Sequence, residues 1–99
     1  MWFAVKLLFE STVRHEDGRI MQEESIRLIQ ASDETQARSK APDLGASAEH
    51  EYPNELGETV RWQFAGVLEV QDLCEDNVFD GMEVFSTLRW NTWAHAERP

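Results

Sequence analysis

Cysteine occurs once in this sequence, at Cys74, so no disulfide can form within the chain, and the fold has to rest on burial and hydrogen bonding. Glycine and proline are sparse, at five and three in 99 residues, which argues against a linker-like or fibrous chain. Basic residues are the minority: nine Lys and Arg stand against nineteen Asp and Glu, a formal net charge of −10. That charge repels phosphate backbones and anionic bilayers, so neither nucleic acid nor membrane is expected as a partner, whereas a basic protein is electrostatically acceptable. No apolar run approaches the roughly 20 residues of a membrane span. The opening MWFAVKLLFE lacks a basic leader and a small-residue cleavage site, so it reads as a first strand and not as a signal peptide. The lone thiol suits a reducing compartment, and a cytoplasmic setting is the expectation. No internal repeat and no low-complexity linker is present.

What is there suffices for one modest core. Apolar residues make up 41% of the chain, with four Trp, five Phe and one Tyr. The reading is a single α+β domain over residues 1–90 and a C-terminal tail over 91–99, partly flexible or docked through Trp93. The clearest element is TVRWQFAGVLEVQDL, Thr59 to Leu73. Val60, Trp62, Phe64, Leu68 and Val70 share one parity, and Arg61, Gln63, Glu69 and Gln71 the other, the pattern of a long strand with one buried face.

Residues 2–14 and 19–31 read as the arms of a hairpin around Asp17-Gly18, a dipeptide that suits a two-residue type I′ turn. That turn pairs Glu16 with Arg19, Phe9 with Ile26, Leu7 with Leu28 and Val5 with Gln30. It gathers Phe3, Val5, Leu7, Phe9, Ile26 and Leu28 on one face. Asp33 and Gln36 then form a candidate capping box. Ala37, Ala41, Leu44 and Ala48 follow at helical spacing, with Pro42 and Gly45 predicting a kink or a split into two helices. Tyr52-Pro53-Asn54 and Gly57 are expected to end the helical region. GMEVFSTLRW, residues 81–90, reads as a last strand paired with the long one, with Met82, Val84, Leu88 and Trp90 on its core face. The expected fold is therefore α+β: a β-β-α-β-β order, a mainly antiparallel four-stranded sheet, and one kinked or broken helix packed on one face.

Candidates for chemistry weaken on inspection. EDNVFDGMEV has the Asp76, Asp80 and Gly81 of a calcium loop, but Val78 and Thr87 stand where oxygen ligands are required. His15, His50 and His95 show no zinc spacing. Cys74 is flanked by Glu75 and Asp76, which oppose thiolate formation. Glu23 and Glu24 with Glu83 form a carboxylate pair only if their strands are neighbours. No phosphate loop, nucleophile elbow or dinucleotide fingerprint occurs. The expectation is no enzyme, no metal and no cofactor.

Apolar residues on the second sheet face carry more information. By parity Leu8, Ile29, Val67 and Phe85 point away from the expected core, and Trp90 and Trp93 add aromatic surface near the C-terminus. Brought together they make a patch of the kind that marks an interface.

The ordered features WFAVKLLFE, EESIRLIQA followed by a helix with Ala37, YPNELGETVRWQF and DGMEVFSTL resemble a small bacterial family, the domain of unknown function numbered 4288. The resemblance covers about residues 2–88. It rests on Trp2, Glu24, Ala37, Tyr52, Asn54, Gly57, Trp62, Gly81, Glu83 and Ser86. Pro42 and Gly45 depart from the more continuous helix of the family. The resemblance implies the fold and a bacterial cytoplasmic setting, and no mechanism. Among the matching positions Glu24, Glu83 and Ser86 are polar and of unassigned role, with Ser86 expected on the core side and Glu83 beside Phe85. The leading expectation is a non-catalytic interaction module forming a homodimer. A binder of a basic protein and a small hydrolase or ligand-binding protein using Glu24, Glu83 and Ser86 are the alternatives.

Overall fold

A computed structural model describes residues 1–88. Its elements are β1 (Trp2–Arg14), β2 (Ile20–Gln30), α1 (Glu34–Ser47), β3 (His50–Pro53) and β4 (Thr59–Asp72), the expected β-β-α-β-β order. All strand pairs are antiparallel, in the spatial order β2-β1-β4-β3. The fold is α+β, with the helix on one face of a four-stranded sheet.

The central strand β1 is the most hydrophobic and is paired on both sides. Phe3, Val5, Leu7 and Phe9 alternate onto the helix side and are almost wholly buried there with Ile29, Ala31 and Val70. Each such side chain contributes roughly 1.5–3 kcal/mol by leaving water. The helix meets this layer through Ala37, Ala41 and Gly45, whose small size lets its backbone lie close to the strands. Asp33 caps the helix as its pattern predicts: its Oδ1 accepts from the Gln36 N–H at 2.8 Å, and the Gln36 side chain accepts from the Ser32 N–H. Of the two outcomes expected at Pro42, a kink or a split, the split does not occur. The helix runs through Pro42 as one element, because that residue's missing donor lies on an exposed face while Ala41 and Gly45 hold either side of it against the sheet.

The identity of one strand also differs. The segment after Gly81 is not a strand over 82–88, and the short β3 at His50–Pro53 takes the place beside β4. Tyr52 and Pro53, expected to close the helical region, belong to this strand, which pairs His50 with Trp62 and Tyr52 with Val60. The second hairpin is thus β3–β4, turned at Gly57 with φ +78°. Val84 and Leu88 accordingly have no place in the core; Leu88 is 97% exposed. Trp90, expected beside them, lies outside the described residues, as does the tail 91–99.

The first hairpin forms, but in another register. His15 N–H donates to the Arg19 carbonyl and Gly18 N–H to the His15 carbonyl, so the loop holds three residues, not two. Gly18 has φ +85° whereas Asp17 does not adopt positive φ, which excludes a type I′ turn and leaves a type I turn closed by a left-handed glycine. One extra loop residue reverses which face β2 presents. A bulge between Glu10 and Arg14 shifts the pairing by two more, setting Phe3 opposite Ile29, Leu7 opposite Ser25 and Phe9 opposite Glu23. Ile29 is therefore core and only 6% exposed, while Ile26 and Leu28 stand on the second face at 46% and 41%.

Irregularities in β4 act likewise. Its pairing with β1 slips between Glu69 and Val67 and again between Gly66 and Phe64, leaving Leu68 and Ala65 without a partner in β1. The first slip carries Val67 onto the core and puts Leu68 on the surface, the reverse of the parity reading. Beyond β3, the Phe64 N–H donates to Glu49 Oε2 at 2.8 Å, and Glu49 also pairs with Arg61.

Candidate functional site

The face of the sheet opposite the helix gathers the features that the core does not use. Trp2, Ala4, Lys6 and Leu8 of β1 alternate onto it, flanked by Glu24, Ile26 and Leu28 of β2 and by Glu69 and Gln71 of β4. Ala4 is fully buried although it lies away from the helical core. The chain itself returns over this face after β4. The Trp2 indole N–H donates to the Asp76 carbonyl at 3.1 Å, which anchors the acidic loop. Gln71 then holds Ser86 by both ends of its amide: Nε2 donates to the Ser86 carbonyl at 2.6 Å, and Oε1 accepts from the Ser86 N–H at 3.2 Å. A side-chain amide thus makes the two bonds that a neighbouring strand would make.

Lys6 completes the attachment. Its ammonium stands 4.6 Å from the centroid of the Phe85 ring and 3.9 Å from Glu24 Oε2, with the side chain only 16% exposed. The stem fills space on the sheet while the charge meets a ring face on one side and a carboxylate on the other. Three positions singled out from the sequence receive roles here. Glu24 is the ion-pair partner of Lys6, Ser86 acts through its backbone, and Phe85 is the half-buried ring over Lys6. Glu83 is exposed, and neither it nor Ser86 sits in a strand.

Of the expected interface residues, Leu8 is on the second face as read, half-buried between Lys6 and Glu10. Ile29 and Val67 are corrected to the core, by the hairpin loop and the β4 bulge respectively. Trp90 and Trp93 lie outside the described residues. Ile26 and Leu28, which parity had assigned to the core, stand open at the β2 border of this face. The segment 81–88 is tied to β1 and β4 and covers the middle of the face, with Val84 and Leu88 themselves exposed, and Leu68 of the β4 bulge also stands on the surface. Lys6 and Gln71 were also missed. A lysine inside the otherwise apolar run Trp2–Phe9, on the parity of Leu8, was the available signal for the first; Gln71 carried none.

Around the border from Leu28, a groove of about 450 Å³ separates β2 from α1, lined by Leu28, Ile29, Gln30, Lys40, Asp43, Leu44 and Ser47. Lys40 Nζ closes one end of it by donating to the Gln30 carbonyl at 2.7 Å. Among the described residues no group of three or more His, Cys, Asp or Glu is placed to hold a metal ion. No helix among them is long and apolar enough to cross a membrane.

The fold and face define a small α+β domain in which one sheet face carries a helix and the other carries the returning chain and an apolar border. The model of the family described as Domain of unknown function (DUF4288) matches residues 2–86, and the chain belongs to that family. No curated protein and no solved structure matches it.

Proposed function

We propose that this domain is a non-catalytic protein-interaction module that self-associates, in a cytoplasmic setting, through the β2 border of its second sheet face. The observation that carries the reading is the state of β2. It is an eleven-residue strand at the edge of the sheet, with Ile26 and Leu28 open on one face. Long edge strands with apolar side chains invite pairing, and monomeric proteins usually shorten, charge or cover them. At the opposite edge this is done: β3 has four residues. β2 instead keeps its full length: Glu23, Glu24 and Arg27 charge it with both signs, and Lys40 blocks the Gln30 end alone.

The hydrolase reading finds less support, since Glu24 is engaged with Lys6 and Ser86 is held through its backbone. Sedimentation equilibrium of the wild type against Ile26→Glu tests the proposal. The charge buried in the contact should weaken self-association by at least about tenfold, or 1.4 kcal/mol, with the far-UV spectrum unchanged. Equal association of the two proteins would remove the β2 border from the interface.

A further inference from the structure

The backbone of β2 has a direction that the side chains do not reveal. Ala31 N–H donates to the Met1 carbonyl, towards β1, whereas the preceding Gln30 carbonyl points outward to Lys40. Backbone groups alternate sides along a strand, so Gln22, Glu24, Ile26 and Leu28 also present their N–H and C=O outward, at the open edge. Lys40 occupies the last outward carbonyl and limits any new pairing to the residues before Gln30.

We propose that β2 pairs antiparallel with β2 of a second copy of this chain, about a two-fold axis through Ser25, joining two four-stranded sheets into one. This rests on the self-association reading above and specifies its geometry. A two-fold axis normal to the sheet keeps both helices on the same side and places like-facing residues opposite one another. With the axis at Ser25, Glu23 lies opposite Arg27 of the second copy, twice by symmetry. Glu24 lies opposite Ile26 and Gln22 opposite Leu28, and these outward-facing pairs exchange the backbone hydrogen bonds.

Neighbouring registers are worse on charge or blocked. An axis at Glu24 sets two Glu24 carboxylates face to face, and an axis at Arg27 does the same for two guanidinium groups. An axis at Ile26 needs the Gln30 backbone that Lys40 holds, and it places Arg27 opposite Ser25 in place of Glu23. Among the described residues neither Glu23 nor Arg27 makes an ion pair. The Arg27 Nε already leans along the strand to Ser25 Oγ, at 2.8 Å, towards the proposed axis. On the second face, Ile26 of each copy becomes a diagonal neighbour of the other, and both leave water.

Ser25 on the axis would form a non-hydrogen-bonded pair, with Cα atoms about 4.5 Å apart, inside the span a disulfide bridges. In a Cys74→Ser background, Ser25→Cys should therefore form a covalent dimer under mild oxidation, whereas Ile26→Cys should not. Arg27→Glu should weaken the dimer at least about tenfold, and adding Glu23→Arg to it should restore affinity to within about threefold of wild type. If light scattering finds a dimer but Ser25→Cys bridges no faster than Ile26→Cys and the charge swap restores nothing, this geometry is wrong while self-association stands. A strict monomer at high micromolar concentration would remove both.

Discussion

At Gly45 two properties of one residue oppose each other. Glycine weakens a helix interior by about 1 kcal/mol relative to alanine, so Gly45→Ala improves the helix taken alone. In the folded chain, however, a Cβ on Gly45 would overlap the Phe64 ring at three of its carbons. That ring packs edge-on against Phe9, with centroids 5.9 Å apart, and moving it in a filled core costs about 1–3 kcal/mol. Gly45→Ala should therefore lower the melting temperature by calorimetry, and a rise would contradict the packing described. In the sequence this glycine reads only as a helix breaker, since nothing there places Phe64 beneath it. Asp17 makes a second residue-scale case. Its carboxylate accepts from the Arg19 N–H and from the Arg19 side chain, which hold its pKa below the usual value, the backbone bond being the largest cause. A group whose pKa is depressed on folding stabilises above its unfolded value and loses that contribution as pH falls through its folded one. The hairpin tip should therefore loosen only below about pH 4. A carboxyl titration by NMR with its midpoint above the ordinary aspartate value would contradict this.

Elements were legible where a local rule decides and illegible where a single residue's dihedral does. The alternation of β1, the capping box at Asp33 and the position of the first hairpin all stood in the sequence. The face of β2 did not: it depends on whether Asp17 takes positive φ, and Ile26 with Leu28 outvoted Ile29 on apolar count alone. The helix settles the matter by covering only the end of β2 where Ile29 lies. In β4 the bulges that exchange Val67 and Leu68 fall beside Gly66 and Ala65, where little side-chain packing holds a regular ladder. The segment after Gly81 has strand-like alternation, yet a glutamine side chain, and not a strand, holds it. Gln71→Ala removes both bonds to Ser86, so the Ser86 amide should exchange at least about tenfold faster while amides of β1 stay protected. Unchanged exchange would show that Phe85 on Lys6 suffices to hold the segment.

For the whole molecule, the net charge of −10 and the open edge of β2 act against each other. Two copies meeting edge to edge repel at long range, while the contact itself offers backbone pairing, Ile26, Leu28 and two opposite-charge pairs. Screening acts first on the long-range repulsion, so self-association should strengthen as ionic strength rises from about 0.01 M to 0.15 M. The candidate site was only partly legible from the sequence at this scale. The existence of a second face with apolar content was visible, but four of its six expected members are elsewhere in the fold or outside the described residues. Its actual border is set by tertiary events: a three-residue loop, and a returning chain that covers the middle of the face. Light scattering coupled to size exclusion, at high micromolar concentration and 0.15 M salt, reads self-association without any substitution. Pairing through β2 should give a mass near twice the chain's 11.5 kDa that falls to the single-chain value on dilution. A mass of one chain at every concentration would contradict it.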